Sequence, residues 1–217
     1  MDTHASSASP RAPRQRQAFA FALVVAVVVG GLGLISERYR ERLDRNSEVW
    51  LADRINMMLP PGSFDNDPVA DVVSVRSPDL LGSEHAVPVY RARRRASPTA
   101  AVIASVAPDG YGGPLRLLVA VDYDGKILGV QVIEHHETPG LADPFVTSGS
   151  DWLQNFVGRR LTESGDALSA WRLRKDGGTF DHISSASVTP RALLRAVEKT
   201  LEYYNAHREA LYADDHP

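Results

Sequence analysis

The chain has 217 residues, 43% of them hydrophobic, which is enough for one substantial core plus appendages and short for two full domains. Its 24 Lys+Arg stand against 27 Asp+Glu, so it lacks the broad basic footprint of a nucleic-acid binder, and nucleic acid is not an expected partner. It contains no cysteine, which excludes disulfides, cysteine nucleophiles and iron–sulfur clusters held by this chain.

Residues 1–17 are polar and rich in Ser, Pro and Arg, with too little apolar surface to fold, and read as a disordered tail. From Ala18 to Ile35 there is no charged or strongly polar residue. Eighteen residues at helical rise span roughly 27 Å, close to the hydrocarbon thickness of a bilayer. A cleaved signal peptide would need a small-residue processing site, whereas Gly33-Leu34-Ile35-Ser36 runs straight into Glu37-Arg38-Tyr39-Arg40. The expectation is an uncleaved transmembrane helix over 18–36. Its orientation is open on charge alone, because Arg11, Arg14 and Arg16 precede it while Arg38, Arg40, Arg42 and Arg45 follow it.

Apolar residues then recur at helical spacing (Leu43, Val49, Trp50, Ile55, Met58, Leu59) until Pro60-Pro61-Gly62 stops them, which predicts a juxtamembrane helix over 37–61. Residues 62–217 are assigned to a soluble domain. Val69 to Arg76 and Val87 to Arg93 alternate toward strand character. The strongest β signal follows in Ala100 to Ala107, Leu115 to Asp122 and Ile127 to Glu134, the last two joined by a turn containing Asp124-Gly125. Asp151 to Val157 reads as a short helix with Trp152, Leu153 and Phe156 on one face. Leu168 to Arg174 reads as a further strand ended by Lys175-Asp176-Gly177-Gly178. The last helix is predicted with Thr189 as N-cap, Pro190 in its first position, and Leu193, Leu194, Val197, Leu201 and Tyr204 as its apolar stripe. The fold class is therefore α+β, an antiparallel sheet with flanking helices.

Three segments carry candidate chemistry. Glu134-His135-His136-Glu137 has the composition of a metal cluster, but neighbouring strand residues point to opposite faces and the spacing lacks a histidine pair one helical turn apart. It is read as a polar strand end, with no metal assigned. Glu137-Thr138-Pro139-Gly140-Leu141 is a rigid turn presenting a carboxylate, a hydroxyl and a glycine, which by itself is a turn and nothing more. Asp181 to Pro190 places Ser184, Ser185, Ser187 and Thr189 where the free N–H groups and positive dipole end of the last helix would receive an anion such as phosphate. The same residues also suit plain capping, and no His–carboxylate arrangement makes a hydrolase nucleophile of any serine.

Taken together with the apolar span, the last two segments resemble the family of G-type subunits of the Rnf ion-translocating electron-transport complex. More broadly they resemble domains carrying covalent FMN, which include the C-type subunit of the sodium-pumping quinone reductase. The family's Asp-x-x-Ser/Thr-Gly-Ala-Thr/Ser segment, whose last hydroxyl carries FMN as a phosphoester, aligns with Asp181, Ser184, Ser185, Ala186 and Ser187. Ser185 stands for the usual Gly and Ser187 for the usual Thr. The family's Glu-Thr-Pro-Gly-Leu-Gly segment aligns with Glu137, Thr138, Pro139, Gly140, Leu141 and Ala142, with Ala142 replacing the last Gly. The motif-bearing core covers about residues 90–205.

The resemblance implies an electron-transfer protein with FMN on Ser187, a redox component of a larger oxidoreductase complex and not a stand-alone enzyme. It implies Arg191 and Thr189 near the phosphate, Leu141 on the isoalloxazine ring, Thr138 and the Gly140 backbone at its edge, and Glu137 either hydrogen-bonding in the site or holding the turn. The implied partners are the other Rnf subunits, a flavin transferase during maturation and membrane lipid. NAD and ferredoxin would bind other subunits, since this chain has no dinucleotide fingerprint. The implied location is the bacterial inner membrane, with a cytoplasmic N-terminus and a periplasmic flavin domain. The alternatives are an assembly module of the same fold without covalent flavin, or a relative of the C-type quinone reductase subunit.

Overall fold

A computed structural model describes Val25, residues 49–161, 171–181 and 187–213. The expected tail over 1–17 and the span over 18–36, apart from the helical Val25, lie outside the described residues. Among those described, no helix is long and apolar enough to cross a membrane. The chain divides between Trp50 and Leu51, and the sheet and its covering helices belong to the second unit.

Five strands run as an antiparallel meander in the order β1-β2-β3-β4-β5, with β1 at Val72–Val75, β2 at Val87–Arg94, β3 at Ser97–Ala107, β4 at Leu115–Asp122 and β5 at Ile127–Glu134. Because strand side chains alternate, the sheet separates two apolar layers. Val89, Ala101, Ile103, Leu117, Val119 and Val121 face one layer, and Tyr90, Ala92, Ala100, Val102, Leu118 and Ala120 face the other. Both faces are covered, which is why β3 and β4 read as nearly unbroken apolar runs in an antiparallel sheet.

Helix α1, whose residues 51–58 belong to this unit, covers the second layer with Ile55 and Met58, followed by Leu59. The first layer is covered by the 25-residue helix α5, Val188–Tyr212, where Leu193, Leu194, Val197, Leu201 and Tyr204 are all buried as their spacing predicts. Three short helices complete that side: α2 at Pro78–Leu81, α3 at Asp143–Val146 and α4 at Asp151–Gln154. Ser150 caps α4, its hydroxyl accepting the Leu153 N–H at 3.3 Å. Trp152 and Phe156 pack edge-on at 5.4 Å beside Phe145, Trp171 and Phe180, so an aromatic cluster fills this end of the core.

Four expectations need correction. The strand Val69–Arg76 shrinks to Val72–Val75, because Asp67 turns the chain first: its carbonyl accepts the Ala70 and Asp71 N–H groups and its carboxylate that of Val69. Strand β3 begins three residues before Ala100. The two-residue turn ahead of it, Arg95-Ala96, has positive φ at both positions (50° and 64°) without a glycine to announce it. The described part of Leu168–Arg174 is not a strand. Leu173 makes one isolated bridge to Phe180, and Arg174–Asp176 form a 3₁₀ turn closed by Gly177. Finally, Ser187 and not Thr189 occupies the N-cap of α5, since helical geometry starts at Val188.

Two arginines of β2 fix the far end of α5. Asp71 accepts from Arg91 Nε at 2.7 Å and from Arg93 Nε at 3.0 Å, and Arg91 donates onward to the Leu211 carbonyl at 3.0 Å. Cations thereby meet the negative end of the helix dipole and its free carbonyls. With the C-terminal turn held on β2, the N-terminal turn is fixed against the opposite end of the sheet, where the candidate site lies.

A candidate flavin cleft at the start of the last helix

The Ser187 hydroxyl lies at the mouth of α5, half-buried, and accepts from the Lys175 ammonium. Lys175 reaches it because the turn carrying it is clamped onto the helix. Asp176 takes two hydrogen bonds from Arg191, at 2.7 and 2.8 Å. Those bonds hold the Asp176 carboxyl below its ordinary range, with the nearby charges of Arg191, Lys175 and Arg172 acting in the same direction. Arg191 is therefore committed to Asp176, and the residue touching the candidate attachment oxygen is Lys175. Sequence patterning marks Lys175 only as part of a turn, because contact across twelve residues leaves no local signal.

Glu137 is the second anchor. It is 7% exposed, and both carboxylate oxygens are used: Oε1 accepts the Gly112 N–H at 3.1 Å and Oε2 accepts the Thr189 hydroxyl at 2.9 Å. Of the two roles open to it, the structure gives it that of a tie between the turn after β5, the β3–β4 loop and the first turn of α5. Thr189 is correspondingly buried and its oxygen occupied.

Next to Glu137 the backbone N–H groups of Leu141 and Ala142 turn back onto the Thr138 carbonyl, at 3.2 and 3.3 Å. Gly140 sits at φ +82° and donates to the Asp143 carboxylate at 3.0 Å. A Cβ there would meet no atom within 4 Å among the described residues, so the left-handed backbone is what demands glycine, not a close approach. Unlike the buried Glu137 beside them, Thr138 and Pro139 are exposed.

Between these anchors opens a cleft of about 280 Å³ lined by Tyr111, Glu137, Leu141, Ala142, Ser187, Val188 and Thr189. It brings together Glu137, Leu141, Ser187 and Thr189 from the two sequence segments. Thr138, Gly140, Arg191 and Asp181 do not line it, and Ser184, Ser185 and Ala186 lie outside the described residues. Asp181 is exposed, pairs with Arg174 at 2.9 Å, and its carbonyl accepts the Trp152 indole N–H at 2.9 Å. Tyr111 belongs to neither sequence segment, although its glycine-rich setting, Gly110-Tyr111-Gly112-Gly113, marks a loop under tight packing.

A model of the FMN-binding domain matches residues 110–202, a stretch that begins at this loop and ends within α5. The chain is 39% identical over 208 residues to the G-type subunit of the ion-translocating oxidoreductase complex of Pseudomonas aeruginosa (strain UCBPP-PA14), covering 96% of each chain. The protein of the same name from Pseudoalteromonas atlantica is 40% identical over 184 residues, covering 83% of this chain and 85% of that one. That from Vibrio parahaemolyticus is 34% identical over 197 residues, covering 91% and 92%.

The chain belongs to the family of G-type subunits of ion-translocating oxidoreductase complexes. It carries that family's FMN-binding domain on a five-stranded antiparallel sheet with flanking helices, as its motifs implied. The residues at the cleft fit a flavin mononucleotide. Tyr111, Leu141, Ala142 and Val188 give apolar walls for a flat ring, and a hydroxyl with an ammonium beside it stands at the edge where a phosphate would be held.

Proposed function

We propose that the domain carries FMN covalently, as a phosphoester on Ser187, and that it relays electrons between other subunits of a complex that couples redox chemistry to ion transport. The observation carrying this reading is that Ser187 lines an apolar-walled cleft and its hydroxyl touches the Lys175 ammonium. The flavin supplies the redox chemistry. The chain's residues supply position and potential.

A phosphodiester on Ser187 keeps one negative charge at the N-terminus of α5, where the helix dipole and Lys175 offset it. Arg191 acts indirectly, holding through Asp176 the turn that presents Lys175. Leu141, Ala142 and Val188 keep water from the ring, and Glu137 holds the three segments that form the walls. Tethering keeps the cofactor at high effective concentration beside its redox partners.

The same reading places residues 18–36 as a single membrane anchor, 37–61 as a juxtamembrane helix and 62–217 as a periplasmic domain of a bacterial inner-membrane protein, with 1–17 in the cytoplasm. Its partners are the other subunits of the complex, membrane lipid and, during maturation, a flavin transferase, while NAD and ferredoxin bind elsewhere in the complex.

The test is the intact mass of the chain coexpressed with a flavin transferase. A gain of FMN minus water, abolished by Ser187→Ala, is expected. Unmodified wild-type protein would favour the fold as an assembly module without covalent flavin. Modification surviving Ser187→Ala would move the site, with Thr189 the nearest candidate; its burial and its hydrogen bond to Glu137 favour Ser187 over it.

A further inference from the structure

Three exposed apolar side chains meet at the cleft: Tyr111 at 69%, Val188 at 47% and Leu141 at 38% exposure. A soluble surface tolerates single exposed apolar residues, but a cluster around a cavity marks a surface that something covers. Of the three, Tyr111 is the most exposed and the only flat one. The loop that bears it is held unusually closely. A Cβ on Gly110 would come within 2.2 Å of the Gly113 carbonyl oxygen and 2.8 Å of Glu137 Oε1, and a Cβ on Gly112 within 2.1 Å of the His136 carbonyl oxygen.

Gly113 closes the turn onto Gly110 at 3.3 Å, Gly112 donates to buried Glu137, and Asp109 pairs with Arg195 of α5 at 3.1 Å. Both neighbours of Tyr111 are thus pinned in places only glycine fits, while its own ring makes no aromatic pairing among the described residues and lies against the cleft opening. A loop built this tightly around a solvent-facing phenol serves to present the phenol.

We propose that Tyr111, at the tip of the β3–β4 loop, is the aromatic cover of the flavin ring, stacking on the isoalloxazine and completing with Leu141 and Val188 the wall that separates it from water. This rests on the reading that Ser187 carries FMN. Face-to-face or offset contact between a phenol and a flat heteroaromatic ring adds to the burial of both. It also gives a signature that packing alone does not, because a phenol in contact with an excited isoalloxazine quenches its fluorescence by electron transfer and a benzene ring does not.

The experiment uses the full chain in detergent, coexpressed with a flavin transferase, as wild type, Tyr111→Phe and Tyr111→Leu. Intact mass is measured first, then flavin fluorescence lifetime and collisional quenching by iodide. With the FMN mass present, a several-fold longer lifetime is expected in both variants. Iodide access is expected to rise only in Tyr111→Leu, because phenylalanine keeps the cover and loses only the electron donor. Unchanged lifetimes in both variants on flavin-loaded protein would overturn the proposal and leave attachment at Ser187 standing. Absence of the FMN mass from wild type would overturn both. Should Tyr111→Leu lower the thermal midpoint, Tyr111→Phe still decides the matter through its lifetime.

Discussion

Asp176 shows how a charge on a turn can shape a site it does not line. Its carboxyl is held below the ordinary range chiefly by the Arg191 hydrogen bonds, while the Arg191 guanidinium is raised by the same pair. A depressed carboxylate favours the folded clamp at pH above its unfolded value, and that contribution disappears as pH falls through the folded value. The clamp is therefore intact at neutral pH and opens only below the ordinary aspartate range of about 3.9. A carboxyl titration by nuclear magnetic resonance checks this, with a midpoint for Asp176 below that figure expected and one at or above it contradicting the clamp. Asp176→Asn, which keeps the shape and loses the charge, should slow flavin loading without unfolding the domain, as should Lys175→Met, whereas Lys175→Arg should largely retain loading because it keeps a cation within reach.

At the scale of elements, the β3–β4 loop and the turn after β5 are packed against each other so closely that their glycines are structural. Gly112→Ala would drive a methyl into the His136 carbonyl and against the Glu137 backbone at 3.0 Å. Overpacking of this kind costs about 1–3 kcal/mol, which in a chain of this size lowers the melting temperature by roughly 2–12 °C. Differential scanning calorimetry checks it, and an unchanged midpoint would show the loop to be slack. The elements legible in the sequence are those with a strong local signal. The Asp124-Gly125 hairpin and the stripe of α5 belong here, since periodicity and turn chemistry are written within a few residues. Elements that depend on distant partners are not legible in this way. The Arg95-Ala96 turn has no glycine and is supported instead by the Asp65 carboxylate accepting the Arg95 N–H at 2.9–3.0 Å. The Leu173 segment carries apolar residues because it is buried under the aromatic cluster, not because it pairs as a strand. For the site, the motifs mark Glu137 and Ser187, but Lys175 and Tyr111 come from loops whose proximity arises only when α5 is laid across the sheet.

For the whole molecule, both faces of the sheet are covered by helices, so the flavin domain closes its own core and exposes its cleft at one end. In the proposed arrangement the domain is carried at a membrane surface by residues 18–36. The full chain is then expected to sediment with membranes and to resist extraction by alkaline carbonate, coming into solution only with detergent. Release by carbonate would contradict an integral anchor. A tethered domain with its redox group at one end suits a relay, because each redox partner meets the group by docking to that end and no cofactor needs to diffuse.

The proposed bond at Ser187 is central to the proposed function, and it is tested most directly by peptide mapping of the protein purified from its native membrane. Trypsin cutting after Lys175 and Arg191 releases residues 176–191, which hold Thr179, Ser184, Ser185, Ser187 and Thr189 together. Fragmentation of that peptide by tandem mass spectrometry is expected to place the flavin phosphate on Ser187. Finding it on any of the other four hydroxyls, or finding the peptide unmodified while the complex is intact, would contradict attachment at Ser187.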